Sequence, residues 1–424
     1  MSASGRSVWS WALYDWANSA FATTVMAGFF PLFFKAYWAD GASASTSTFY
    51  LGMANSGASI VIAALAPFLG AIADRGSAKK GFLFAFAALG VVMTGGLWFV
   101  EKGQWQAALC LFVAATIGFM GSNTFYDALL PGVASKQRLD RVSALGFALG
   151  YIGGGLLFAL NVLMYLKPAA FGLPDGATAI RVSFLMVAVW WALFSIPLML
   201  FVEEPRFGEP LPILEAVGAG WRQLRGTARE IRDLKVVGLF LAAYWLYIDG
   251  VDTIVRMAVD YGMALGFPSG SLITALLLVQ FVAFPAAVLY GRISERTGPK
   301  PAILAAIAGY GGITVLAYYM SERWHFYALA VLVGLFQGGI QAISRSLYAR
   351  LIPENKAAEF FGFYNMLGKF AAVVGPALMG TVTLITGRPR VGILSLLILF
   401  AGGAALLWRV DVEEGERTAR EKLS

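Results

Sequence analysis

Long apolar stretches alternate with short polar connectors along almost the entire chain of 424 residues. A membrane-spanning helix requires about 20 predominantly apolar residues, and twelve stretches reach that length. The expected spans lie at about 8–34, 48–73, 81–100, 105–130, 141–166, 180–202, 236–262, 270–291, 300–320, 325–351, 358–385 and 391–409. This pattern predicts an all-α membrane protein with twelve transmembrane helices.

The second half of the chain repeats polar positions of the first half. Residues 122–131 share serine, tyrosine, leucine and proline with residues 344–353 at matching offsets, and each segment closes a long apolar run. An internal repeat in a hydrophobic protein predicts related bundles with a binding site between them. We therefore expect two pseudo-symmetric six-helix bundles.

The repeat also indicates where the units of the chain begin and end. The expected units are a first six-helix bundle, a cytoplasmic amphipathic linker, a second six-helix bundle and a charged, mobile cytoplasmic tail, at residues 1–202, 203–235, 236–410 and 411–424. Apolar residues among the arginines of the linker favour a helix that lies on the membrane surface. An ordinary solvated linker helix would explain the same composition.

Composition agrees with a membrane location. Hydrophobic residues make up 58% of the chain and charged residues 13%, against about 25% charged in soluble domains. Of the 32 lysines and arginines, 23 fall in the even-numbered connectors and the two tails. Because cytoplasmic loops carry the excess of basic residues, both termini are expected in the cytoplasm. The same spread over short connectors argues against nucleic-acid binding.

Cysteine and histidine are too scarce for most site chemistry. The chain has one cysteine, Cys110, and one histidine, His325. These numbers leave no disulfide framework, no cysteine-rich or histidine-based metal centre and no serine–histidine pairing within the spans. We therefore expect no resident metal, no cofactor and no enzymatic activity.

A glycine, an acidic residue and an arginine recur with the same spacing after the second and eighth predicted spans. The two copies are Gly70, Asp74 and Arg75, and Gly291, Glu295 and Arg296. Glycine permits close helix packing, and a carboxylate can face the positive N-terminus of a neighbouring helix. The duplication favours a latch for one conformation, with the arginine holding the carboxylate. An ordinary helix-ending turn is the alternative.

Ionisable residues also lie within the first and seventh predicted spans. Asp15 and Asn18 share one helical face of the first span, and Asp249, Asp252 and Arg256 share one face of the seventh. Charged groups at membrane depth are costly and usually face a cavity, so these residues are candidates for proton coupling or substrate binding. Two alternatives stay open: Arg256 simply neutralises Asp252, or Asp15 is a hydrogen-bonded lock between the halves.

Isolated cations and other polar side chains complete the predicted cavity. Lys369 in the eleventh span and Arg345 near the end of the tenth are candidates for binding a carboxylate or phosphate, although Lys369 could equally pair with Asp15 or Asp249. Asn123 occupies the position in the fourth span that matches Arg345. Further candidates for the wall are Gln341, Tyr14, Tyr151 and Tyr247, followed by Gln337 and Tyr244. Such side chains also serve as helix–helix contacts.

These residues resemble a known group, the major facilitator superfamily, in which two halves of six spans carry a Gly-x-x-x-Asp-Arg motif. Residues 14–21, Tyr-Asp-Trp-Ala-Asn-Ser-Ala-Phe, resemble the signature of the vacuole-effluxer-like family, and residues 249–251, 341–346 and 360–364 look similar too. The resemblance covers nearly the whole chain. It implies rocker-switch alternating access, secondary transport of small solutes, and amino-acid efflux as in the better-known relatives. It also implies that Asp74, Arg75, Glu295 and Arg296 steady the outward-facing state.

One departure from the superfamily limits what the resemblance implies. The Gly-Pro pair typical of helix 5 in antiporters is missing there and occurs instead as Gly375-Pro376 in the eleventh span, so antiport is left open. Short loops without a large extra domain favour a prokaryotic plasma (inner) membrane over a vacuole.

The sequence thus predicts a monomeric secondary transporter in the lipid bilayer, coupled to protons, for a small polar solute with an acidic group. Amino acids or related metabolites are the first expectation. Three alternatives remain: a carrier for lipids or amphipathic glycopeptides, a non-transporting sensor, and an intramembrane enzyme. The linker and tail are short for a sensor's output domain, and the motifs of intramembrane enzymes are missing from the spans.

Overall fold

The computed structural model describes residues 5–41, 44–204, 234–264 and 270–421, which are overwhelmingly helical. Most of the predicted linker therefore lies outside the described residues. The side chains of residues 256–264 and 369–373 are also outside the description. Two of the predicted site residues, Arg256 and Lys369, fall in that group.

Twelve long helices follow one another along the described chain. They are α1 (Gly5–Trp38), α2 (Ala44–Gly76), α3 (Lys79–Gly96), α4 (Trp105–Val133), α5 (Leu139–Leu166), α6 (Gly176–Phe201), α7 (Lys235–Ala264), α8 (Gly270–Thr297), α9 (Pro299–Tyr318), α10 (Arg323–Leu351), α11 (Ala357–Thr386) and α12 (Arg390–Trp408). Eleven candidate spans lie in the described residues, and α11 contributes a shorter apolar stretch, Val374–Thr386. The predicted all-α fold with twelve transmembrane helices is confirmed.

Helix α1 changes its hydrogen-bonding pattern beside the polar residues of the first span. The α-helix Gly5–Ala20 continues as a π-helical segment, Phe21–Phe29. A π-helical turn widens the helix, and such turns are frequent at functional sites. The widened turn carries Thr23, whose hydroxyl accepts a hydrogen bond from Gln280 of α8 at 3.2 Å.

The two six-helix halves, α1–α6 and α7–α12, repeat a small capping device. In the first half the Lys80 ammonium donates to the carbonyls of Met199 and Val202 at the end of α6, at 2.8 and 2.7 Å. In the second half Lys300 donates to the carbonyls of Trp408 and Val410 at the end of α12, at 2.6 and 2.9 Å. Because the last carbonyls of a helix lack intrahelical donors, each lysine ties the third helix of its half to the sixth.

The halves meet through α2 with α11, and through α5 with α8 and α10. We call the end of the molecule with the α2–α3, α4–α5, α8–α9 and α10–α11 connections the basic end. At this end Ser143 of α5 donates to the Ala342 carbonyl of α10 at 2.7 Å. The contacts hold the halves closed here.

The tail differs from the expected mobile segment. Val412–Glu421 forms a further helix, α13, in which Gly415 and Ala419 are buried. The Glu416 carboxylate lies 3.7 Å from the Arg350 guanidinium of α10. Small residues on one face of this helix let it pack on the bundle, and charged residues occupy the other face. The high charge of the segment alone did not indicate this packing.

Candidate functional site

A polar cavity of about 330 Å³ lies between the two halves. Its lining includes nine of the residues predicted from the sequence: Asp15, Asn18, Asn123, Tyr151, Tyr244, Asp252, Gln337, Gln341 and Arg345. Both halves contribute to this wall. The roles of these residues stay a prediction, but all nine line the same cavity between the halves.

Arg345 of α10 forms the centre of the cavity's charge cluster. One guanidinium nitrogen lies 3.0 Å from an Asp127 carboxylate oxygen of α4 and 3.4 Å from an Asp15 oxygen of α1. The guanidinium also donates to the Ser143 hydroxyl at 2.9 Å and to the Ser143 carbonyl at 3.0 Å. Since Arg345 belongs to the second half and its partners to the first, the cluster is an electrostatic link between the halves.

Aromatic side chains pack against this cluster. Tyr126 donates its hydroxyl hydrogen to Asp15 at 2.9 Å, and its ring stacks on Trp11 with centroids 4.4 Å apart. The Arg345 guanidinium lies 4.3 Å from the centroid of the Phe147 ring. A buried guanidinium is stabilised by charge partners and by contact with an aromatic ring face, and this site supplies both.

Neutral hydrogen bonds complete the polar wall. The Tyr151 hydroxyl of α5 donates to the Gln341 side-chain oxygen of α10 at 2.9 Å, which again joins the halves. Within the first half, the Asn18 side-chain amide donates to the oxygen of Asn123. Asn123, which corresponds to Arg345 in the repeat, is thus hydrogen-bonded to α1 within its own half.

Three predicted wall residues lie elsewhere. Asp249 is not among the cavity-lining residues, and its carboxylate accepts a hydrogen bond from the Gly375 backbone N–H of α11 at 2.8 Å. Tyr247 is buried and shares a 2.7 Å hydrogen bond with the Ser344 hydroxyl. Tyr14 is buried beside Tyr126, with ring centroids 5.0 Å apart. All three face neighbouring helices, so their predicted place in the wall is corrected.

Asp127 is a charged residue of the cavity that the sequence analysis did not single out. It belongs to the repeated segment 122–131, where its counterpart in the second half is Ala349. Because the matching position of the second copy is apolar, the repeat did not support Asp127 as a polar site position. Asp127 also accepts a hydrogen bond from the Asn365 amide of α11 at 3.3 Å.

The first copy of the glycine–acid–arginine motif joins the two halves, although its role as a latch stays a prediction. Asp74 at the end of α2 accepts hydrogen bonds from the backbone N–H groups of Ala358 and Glu359, at 3.1 and 2.8 Å. These are the first donors of α11, where positive helix charge concentrates. A Cβ at Gly70 would overlap the Ala358 carbonyl, so only glycine allows this approach. The cation 3.0 Å from Asp74 is Lys79, and Arg75 is exposed.

The second copy packs closely but uses a different acid. Gly291 approaches α5, where a Cβ would lie 2.6 Å from the Ala144 side chain. Glu295 and Arg296 are exposed, whereas the neighbouring Ser294 is buried. The prediction of a second latch built on Glu295 and Arg296 is therefore corrected.

Asp140 in the first turn of α5 takes the place expected for Glu295. Its carboxylate accepts hydrogen bonds from the hydroxyls of Ser294 at 2.8 Å and Ser346 at 2.7 Å. It also pairs with the Arg350 guanidinium at 3.1 Å. The basic end is thus closed by two buried carboxylates, each joined to the other half.

Replacing Asp74 by alanine should open the basic end. The change leaves the buried Lys79 ammonium without its carboxylate and removes the acceptor for two N–H groups. Loss of one partner of a buried pair costs about 3–5 kcal/mol, so the ratio of closed to open molecules should fall by more than about a hundredfold. Electron spin resonance distances between labels at Gln137→Cys and Thr297→Cys, in a Cys110→Ser background, report this opening.

The matched control for the latch is Glu295→Ala at the corresponding position of the repeat. Because Glu295 is exposed, its removal should leave the distance distribution unchanged. An Asp74→Ala distribution identical to that of the unmodified protein would contradict the latch.

An apolar cavity of about 210 Å³ adjoins the polar one on the side away from the basic end. The two cavities share Ala22, Thr23, Tyr151, Gln280 and Gln337. The remaining lining of the apolar cavity is mostly aliphatic and reaches Met320 and Phe326 at the far ends of α9 and α10. The polar site is therefore continuous with an apolar space towards the opposite end.

Solved structures of membrane transporters share this arrangement of helices. The proton:xylose symporter XylE aligns with a TM-score of 0.72 and 13% identity, over 97% of each chain. The human organic anion transporter MFSD10 aligns with a TM-score of 0.71 and 16% identity, over 95% of this chain and 99% of that one. At such identities the likeness concerns the fold, which is that of the major facilitator superfamily.

Sequence relatives narrow the class to a family. The family model described as vacuole effluxer Atg22 like matches residues 35–420. An uncharacterized MFS-type transporter of Bacillus subtilis (strain 168), YxiO, is 40% identical over 415 residues, covering 97% of this chain and 96% of the relative. Autophagy-related protein 22 of Yarrowia lipolytica is 30% identical over 314 residues, covering 66% and 51%. The chain belongs to the vacuole effluxer Atg22-like family and is a multi-pass membrane transporter of the major facilitator type.

Proposed function

We propose that this transporter couples the movement of a small amino-acid-like solute to protons, by alternating access to the polar interhalf cavity. The supporting observation is the cluster of Arg345 with Asp15 and Asp127, which joins the halves inside that cavity. Two carboxylates share one guanidinium, so the cluster carries a surplus negative charge when both are ionised. An uncompensated charge is costly at membrane depth. A proton or a substrate ammonium group would remove the surplus.

The charge of the wall favours a solute that carries its own cation. Among the described residues of the polar cavity, the acids are Asp15, Asp127 and Asp252 and the base is Arg345. A zwitterionic amino acid would place its ammonium group near a carboxylate and its carboxylate near Arg345. Lys369 follows the cavity residue Gly368 in the chain and stays a candidate for the second anion contact.

Alternating access follows from competition for the same cation. In the present state Arg345 holds the first half through two carboxylates, and Asp74 holds α11 at the basic end. Protonation of Asp15 or Asp127, or capture of Arg345 by a substrate carboxylate, weakens the interhalf link. The halves can then pivot and open the basic end. The direction of net transport depends on which side supplies the proton gradient.

The adjoining apolar cavity favours a second candidate function, which is transport of an amphipathic solute. Such a molecule would place its polar group near Arg345 and its apolar part in the space that reaches Met320 and Phe326. Lipids and amphipathic glycopeptides meet this description. The combined space of the two cavities is small for a complete lipid, so we rank this candidate second.

A thermal-unfolding screen of the purified protein tests the substrate class. Free amino acids, their N-acetyl derivatives and their decarboxylated amines form matched sets. A ligand at a hundred times its Kd stabilises the folded state by about 2.7 kcal/mol, which raises the unfolding midpoint measurably. We expect free amino acids to stabilise, with less effect from either derivative, and Asp252→Asn to lose selectivity for the ammonium group. Stabilisation by lipids or neutral sugars alone would contradict the proposal.

A further inference from the structure

A separate cavity of about 400 Å³ lies at the basic end, on the flank of the groove between the halves. The N-terminal turns of α1 and α5 form two of its sides, and the last turns of α8 form the third. Its polar lining consists of Arg138, Arg141 and Arg292, which are all exposed. Two of these arginines belong to the first half and one to the second.

The three arginines give this cavity a strong positive charge. Within residues 5–41, 44–204, 234–264 and 270–421, their guanidinium groups form no ion pair or side-chain hydrogen bond. The nearby acid, Asp140, is buried and bonded to Arg350 and Ser294 instead. The start of α5 adds further positive character, because its N-terminal N–H groups lack a side-chain cap and helix N-termini attract anions.

The remaining lining of this cavity is apolar and continues onto the outer surface of the bundle. It consists of Gly5, Val8, Trp9, Val142, Ala144, Leu145 and Val288. On the adjacent face of α8, Leu289 and Ile293 are 55% and 39% exposed. Trp9 is 54% exposed, and tryptophan is enriched where hydrocarbon meets lipid headgroups. A ligand here would therefore need an anionic head and an apolar body.

We propose that this cavity binds the phosphate headgroup of an anionic phospholipid and that the bound lipid favours the conformation with a closed basic end. The phosphate would contact arginines of both halves, with the acyl chains along α5 and α8. Beside the cavity the two helices touch at Gly291 and Ala144. Opening of the basic end would separate Arg292 from Arg141 and dismantle the site. The lipid thus stabilises one state of the transport cycle.

Lipid-dependent thermal unfolding of the full chain in neutral detergent tests this site. The lipids are phosphatidylglycerol and phosphatidylcholine with identical acyl chains. We expect phosphatidylglycerol to raise the unfolding midpoint well above the effect of phosphatidylcholine. Each basic residue near an anionic headgroup contributes about fivefold in affinity, so Arg141→Gln/Arg292→Gln should weaken the apparent affinity about thirtyfold.

Two further variants separate this effect from general charge loss or misfolding. Arg323→Gln/Arg388→Gln removes the same charge from exposed arginines at the opposite end and should leave the affinity unchanged. Arg141→Lys/Arg292→Lys keeps the charge and should retain most of the binding. Equal effects of the two lipids, or full affinity in Arg141→Gln/Arg292→Gln, would overturn the proposal. So would an equal shift from glycerol phosphate at the same concentration, which would indicate a site for free phosphate.

Discussion

Asp15→Asn is expected to abolish proton-driven accumulation of solute in vesicles while substrate binding persists. Asparagine has the shape of aspartate and can still accept the hydrogen bond from Tyr126, but it cannot take up and release a proton. Its amide also pairs more weakly with Arg345, so a loss of about 1.5–3 kcal/mol of stability is expected. Transport would then only equilibrate the solute across the membrane. Vesicle uptake with an imposed proton gradient, beside ligand-dependent thermal unfolding, measures both properties.

Asp249→Asn is the matched control for this experiment. Asp249 occupies the position in α7 that corresponds to Asp15 in α1, and both residues are buried. Its bond to the Gly375 N–H needs only an acceptor oxygen, which asparagine also provides. This variant should accumulate solute normally. Unchanged accumulation in Asp15→Asn would remove Asp15 from the coupling mechanism.

Arg345→Met is expected to cause the largest loss of both stability and transport. Methionine fills much of the volume of the arginine but leaves Asp15 and Asp127 together without their cation. Removal of one partner from a buried ion pair costs about 3–5 kcal/mol. The link between the halves would also be lost. Chemical unfolding and vesicle uptake measure the two effects.

Restoring the charge balance should recover stability without restoring transport. In Arg345→Met/Asp127→Asn the number of unpaired carboxylates falls from two to one, so part of the lost stability should return. Arg345→Lys keeps the charge but cannot reach Ser143 and both carboxylates at once, so it should fold well and transport slowly. Full stability in Arg345→Met would mean that the ion pairs contribute nothing to closure.

The fold could be predicted because membrane insertion is governed by local properties. Each span needs length and apolar character within its own segment, and both are visible in the sequence. Arg345 was also identifiable, since a cation near the end of an apolar run at a repeated position is unusual. What sequence could not supply is which helical face meets the other half.

The incorrect predictions arose because the sequence does not show which helical face meets the other half. Ser294 and Glu295 are neighbours in the chain, but consecutive helix residues point about 100° apart, and only Ser294 faces α5. Asp249 matches Asp15 by repeat position, yet the helix packed against it differs, so its carboxylate meets Gly375 instead of the cavity. A duplication preserves helix positions better than the charges that face them, which is also why Asp127 was missed.

Solute accumulation by vesicles that contain only the purified protein tests the central claim most directly. A mixture of radiolabelled amino acids is supplied with an imposed proton gradient or with the gradient collapsed by an ionophore. We expect accumulation above the external concentration with the gradient, together with a matching movement of protons. Equal solute levels with and without the gradient would contradict this expectation.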